Sequence, residues 1–104
     1  MADSHSIADV RQWEIWHVYW DHGDGTGKDR PALAITTTAQ SVAAGHVRFL
    51  KITGQDHPKV PRRVMIDSRN PDFRHTGLDC TSWIHLLDDK KIVEGEEQLG
   101  TRQN

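Results

Sequence analysis

One cysteine among 104 residues leaves Cys80 without an intramolecular partner, so no internal disulfide framework is available to this chain. That fits a reducing compartment better than a secreted scaffold. Long apolar runs are also missing, and none approaches the ~20 residues that cross a bilayer as a helix. The opening M-A-D-S-H-S-I-A-D-V has neither the basic start nor the apolar centre of a secretory signal. The cytoplasm is therefore the expected address, with no membrane partner. Charge of one sign is not in excess either: the formal net charge is −2. The chain as a whole gives no electrostatic case for binding a polyanion. Internal repeats, low-complexity tracts and long amphipathic helical periods are absent too, which excludes solenoids and helical bundles.

What is present is a series of short β-type segments in an ordinary globular composition of 36% hydrophobic and 27% charged residues. W-E-I-W-H-V-Y-W at 13–20 is dense in aromatic and β-branched residues. P-A-L-A-I-T-T-T at 31–38 reads as a second strand opened by a proline, and H-V-R-F-L-K-I-T at 46–53 as a third. R-R-V-M-I-D at 62–67 and C-T-S-W-I-H-L-L at 80–87 supply two more, with a sixth expected at 91–94. Between the second and third, 39–45 has room for one helical turn. The expected core is Trp16, Val18, Leu33, Ile35, Leu50, Ile52 and Trp83. Gly/Pro loops between five or six strands predict a mainly β chain, a small antiparallel barrel or sandwich with one or two short helical turns. Residues 1–10 read as a flexible N-terminus, 11–99 as a single domain and 100–104 as a tail.

Charge is unevenly spread. Between Lys59 and His75, Lys59, Arg62, Arg63, Arg69 and Arg74 stand against only Asp67 and Asp72. Between Asp88 and Glu97 the balance reverses. A basic segment inside a mildly acidic protein is able to hold a polyanion locally, although a solvated loop would look the same.

The loop D-H-G-D-G-T-G-K-D-R-P at 21–31 carries the densest chemistry. A phosphate loop ending at Gly27-Lys28 needs glycine at 22 and a hydroxyl at 29, where this chain has His22 and Asp29. Asp21, His22 and Asp24 suggest a cation, but position 23 is glycine and no closing glutamate follows at calcium-loop spacing. Turn formation accounts for these residues better. Cys80 and His85 are five apart on one expected strand, hence on opposite faces, so a thiol nucleophile with that base is not supported; Cys80 is expected to be a partly buried structural thiol. Arg30 remains, at the end of a glycine loop and before a proline, where its fork of donors is able to meet a phosphate. Thr53 ends the third strand beside Gly54.

In order, E-I-W-H-V at 14–18, G-K-D-R-P-A-L-A-I at 27–35, L-K-I-T at 50–53 and T-G-L-D-C-T-S-W-I at 76–84 resemble the MazF/PemK (Kid) family of type II toxins. The resemblance covers roughly residues 13–88. It implies an SH3-like barrel of the CcdB/PemK kind and metal-independent, cofactor-free cleavage of single-stranded RNA, with a ribose 2′-hydroxyl attacking the adjacent phosphorus. Arg30 would stabilise the phosphorane and Thr53 would hydrogen-bond the scissile phosphate. His22, Lys28, Arg62, Arg63, Arg69, Arg74 and Ser82 would be the RNA contacts. Where some members carry an Arg-x-Asp pair after the Thr-Gly segment, this chain has Cys80 and Ser82. An antitoxin with an acidic segment would be the protein partner, and a homodimer is expected. The alternatives are a non-catalytic barrel that grips a protein or nucleic acid, or a gyrase-binding toxin of the CcdB type.

Overall fold

The aromatic and β-branched segment near the N-terminus forms β1 (Ile15–Asp21), whose alternating burial puts Trp16 and Val18 in the interior. The structure, a computed structural model, describes residues 6–21, 23–94 and 99–104. β1 turns through the glycine loop into β2 (Gly27–Ala34), which continues to α1 (Thr38–Ala44) and β3 (His46–Thr53). β4 (Arg63–Ile66), a 3₁₀ turn (Pro71–Thr76) and β5 (Ser82–Val93) complete the order. The five strands make one antiparallel sheet in the order β1-β2-β3-β5-β4. The mainly β expectation holds. The barrel is not closed by a ladder among the described residues, but Lys90 Nζ on β5 donates to the Tyr19 carbonyl on β1 at 2.8 Å. β1 and β5 are three strand spacings apart, about 14 Å if flat, so a lysine reaches across only because the sheet curls.

Several element boundaries differ from the sequence reading, each for a local reason. The second strand begins at Gly27 rather than Pro31 and stops at Ala34, because Thr37 caps a helix. Its Oγ1 accepts from the Gln40 amide at 3.1 Å while Gln40 Oε1 accepts from the Thr37 amide at 2.9 Å. The expected fifth and sixth strands are one twelve-residue β5. Opposite the step from Leu50 to Lys51 in β3, β5 passes from Asp89 to His85, so Leu86, Leu87 and Asp88 bulge out of the ladder.

Both chain ends are more engaged than a flexible N-terminus and a tail would be. Residues 1–5 lie outside the described residues, but a 3₁₀ turn (Ile7–Asp9) follows, and Ile7 and Val10 are buried in the core. The 100–104 segment runs along the outer edge of β1. His17 donates to the Thr101 carbonyl at 2.8 Å, and Gly100 and Gln103 donate back to His17 and Ile15. Gly77, at φ 74°, lies so close to Gln103 that a Cβ there would overlap its carbonyl.

Cross-strand partners share a face, and one face carries the main core. Trp16, Val18, Ala32, Ala34, Val47, Phe49 and Ile92 pack there with Ile7, Val10 and Leu99. Of the expected core residues, Trp16, Val18, Leu50 and Ile52 are buried, whereas Leu33, Ile35 and Trp83 are half-buried. Cys80, expected to be partly buried, is exposed.

Candidate functional site

On the apolar face, the register lines up residues in rows across the strands. One row is Trp16, Ala32, Lys51, His85 and Arg63, taken from β1, β2, β3, β5 and β4. The next is Val18 with Arg30 on β1 and β2, and Thr53, Trp83 and Met65 on β3, β5 and β4. Alternation reserves these positions for the interior, yet Lys51, His85, Arg63, Arg30 and Thr53 fill five of them. A local pattern broken at one end of an otherwise apolar face is where function is expected.

Pro31 opens this end. Both backbone groups of His17 bond outward to Thr101 and Gly100, so the His17–Pro31 pair is not hydrogen-bonded within the β1–β2 ladder. Pro31 therefore turns its nitrogen toward β3, where it has no hydrogen to give. The β2–β3 ladder pairs Ala34, Leu33 and Ala32 with Phe49, Leu50 and Lys51, and stops there. Arg30 and Thr53 are the residues two positions beyond the last pair, on the same face and across the opening. A proline in an interior strand is unusual; here it ends a ladder beside polar side chains.

Arg30 is half-buried, and its Nε is buried with no hydrogen-bond partner. Leaving such a donor orphaned costs about 1–3 kcal/mol, more for a charged group. Thr53 is 4% exposed and its Oγ1 accepts from the Gln55 amide at 3.2 Å, so its hydroxyl hydrogen stays available to donate. Lys28 lies on the same face of β2 and is exposed. Arg63 is in the same row as His85 and pairs with Asp56.

The structure brings Arg30, Thr53, Lys28 and Arg63 to one face and separates the others. Ser82 pairs with Ile66, which puts it on the opposite face from Trp83 and His85, and its hydroxyl donates to the Cys80 carbonyl at 2.9 Å. Arg62 precedes β4 with φ 54°, and its carbonyl accepts from Leu86 at 2.9 Å. Arg69 is held by Asp67 at 2.8 Å; that hydrogen-bonded pair raises the arginine's pKa and lowers the carboxylate's. Arg74 lies on the 3₁₀ turn with its Nε 3.4 Å from His75 Nε2. His22 lies outside the described residues.

In the glycine loop, Asp21 accepts from the Gly23 amide at 2.7 Å and Asp24 from the Thr26 amide at 3.0 Å, so both carboxylates shape turns. Gly27 is fixed by contact: a Cβ there would strike the Trp20 carbonyl and the Tyr19 ring. Sequence reasoning missed Lys51 and His85. The alternation at 46–53 was enough to put Lys51 with Thr53, and that at 80–87 to put His85 with Trp83, but not to show that the register sets His85 beside Lys51.

A family model described as PemK-like, MazF-like toxin of type II toxin-antitoxin system matches residues 11–102. The chain belongs to that family. No curated protein is similar enough to match it. As a PemK-like toxin it implies an antitoxin partner. Among its described residues no helix is long and apolar enough to cross a membrane. In this PemK-like chain the open end of the β2–β3 ladder is the place where charged and hydroxylic donors converge.

Proposed function

We propose that this toxin is a metal-independent endoribonuclease that cleaves single-stranded RNA at short sequences. The observation that carries the reading is Arg30, with its unpartnered Nε, on the same face as Thr53 across the opening made by Pro31. In the proposed reaction a ribose 2′-oxygen attacks the adjacent phosphorus and the 5′-oxygen leaves, giving a 2′,3′-cyclic phosphate and a 5′-hydroxyl. Charge grows on the non-bridging oxygens as the phosphorane forms. The Arg30 guanidinium and the Thr53 hydroxyl would face that charge, and donors held ready for developing charge usually contribute more to the rate than any other device. Lys28 and Arg63, on the same face, would hold flanking phosphates. Ser82, Arg69 and Arg74 have less support as contacts, because one is on the opposite face and the others are engaged in the β4–β5 connection.

The antitoxin would inhibit by laying an acidic segment over this cationic face, and the homodimer and the cytoplasmic setting belong to the same proposal. The test is incubation of a long single-stranded RNA with the protein in EDTA, beside Arg30→Ala and Thr53→Ala. Wild type is expected to cut, and each variant to lose about 10²–10³ in rate. Intact RNA over a wide protein range would overturn the reading and favour the non-catalytic barrel, for which the Cys80 and Ser82 positions already speak.

A further inference from the structure

We propose that His85, oriented by Asp88, is the general base of the RNA cleavage reaction, an inference that rests on the ribonuclease reading above. His85 is 2% exposed and lies in the row beside Lys51 and Arg63, one row from Thr53. Its direct neighbour along β5 on that face is Trp83, the partner of Thr53, so His85 and Thr53 are diagonal neighbours about 7–8 Å apart at Cα. From Arg30 it is two strand spacings and one row away, about 12 Å between Cα atoms. The arginine and imidazole side chains extend from the same face.

The bulge sets the ring. Leu86, Leu87 and Asp88 leave the ladder, and the Asp88 carboxylate folds back to within 3.3 Å of His85 Nδ1. A carboxylate only accepts, so in the neutral ring Nδ1 carries the hydrogen and Nε2 the lone pair. That Nε2 is buried and has no hydrogen-bond partner. A buried nitrogen with a free lone pair, held in one tautomer beside a phosphate site, is the form a base requires. The charged and titratable groups around it are Lys51 from β3, Arg63 from β4 with its partner Asp56, Asp88 from β5, and His57. The His57 ring meets His85 edge to face at 5.9 Å between centroids. Residues 54–59 are exposed, so the loop carrying His57 is the part that must shift to admit the ribose.

In the chemical step the 2′-oxygen–phosphorus bond forms while its proton passes to His85 Nε2, and the phosphorus–5′-oxygen bond breaks. The 5′-oxygen takes a proton from solvent, and the imidazolium later returns its own to solvent.

The test compares single-turnover cleavage in EDTA from pH 5 to 8 for wild type, Arg30→Ala, His85→Gln and Asp88→Asn, with affinity read on an uncleavable 2′-O-methyl RNA. Wild type is expected to speed up as pH rises, as a reaction that needs a neutral base requires. His85→Gln should lose about 10²–10⁴ in rate, lose that pH dependence and keep its affinity. Arg30→Ala should be slow yet keep the dependence. Asp88→Asn, which alters only an exposed bulge residue, should be slower than wild type and decides the matter if His85→Gln does not fold. His85→Gln or Asp88→Asn cutting at the wild-type rate with the wild-type profile overturns this role and leaves the ribonuclease reading intact. A wild type that cuts nothing overturns both.

Discussion

Glu14 shows how much one side chain holds together. Its carboxylate accepts from the Arg11 amide at 2.7 Å, from Trp16 Nε1 at 3.2 Å and from Arg102 at 2.9 Å. Desolvation pushes its pKa upward, but the hydrogen bonds from Arg11, Arg102 and Trp16 outweigh it, and the net shift is downward from the ordinary glutamate value. A depressed folded-state pKa gives stability that is present above the unfolded value, about 4.3, and lost as pH falls through the folded one. The melting temperature should therefore drop between about pH 5 and pH 3, and Glu14→Gln should flatten part of that drop; both are read from thermal scans at fixed ionic strength. A variant with the wild-type acid profile would mean that Glu14 adds nothing to the acid sensitivity. At Arg30 and His85 the balance runs the other way, since each has a buried nitrogen without a partner. Stability alone gives no reason to keep either one.

At the scale of elements, Pro31 is the device that shapes the site. Pro31→Val restores an N–H facing β3 and suits a strand, so the β2–β3 ladder should lengthen past Ala32. The expected result is unchanged or raised stability by urea titration together with slower RNA cleavage. A loss of stability would mean that the proline does not limit the ladder. The same element shows what could be read from the chain beforehand. Strand existence was legible because 13–20 is dense in aromatic and β-branched residues and because Val47, Phe49, Lys51 and Thr53 alternate against Arg48, Leu50 and Ile52. The start of β2 was not, because Gly27, Lys28, Asp29 and Arg30 form a polar strand end whose pairing depends on β1 across the hairpin. Ile7 and Val10 are isolated apolar residues in a polar stretch, and only tertiary packing makes them core. Arg30 and Thr53 were legible through the family resemblance. His85 was not: alternation puts it on the face of Trp83, but only the register of β3, β5 and β4 sets it beside Lys51 and Arg63.

For the whole molecule, a net charge of −2 means that any attraction to RNA must come from a local field rather than the overall one. Lys28, Arg30, Lys51 and Arg63 supply it on one face. With a single-stranded ligand each neutralised phosphate contributes about −0.7 to the slope of log affinity against log salt, so a value between about −2 and −3 is expected. Lys28→Ala should make the slope shallower by about 0.7. Fluorescence anisotropy with a 2′-O-methyl RNA measures both, and a slope near zero would rule out this face as the binding surface. The lacing of the C-terminal segment onto β1 has a consequence in time. Its side-chain bonds join residues 86 to 89 positions apart. At roughly 5–20 residues per second of synthesis, β1 waits about 4–17 s for its outer neighbour to be made. During that interval its edge is bare, and a nascent toxin spends its first seconds as a chain with an unpaired strand, open to capture before it is able to act.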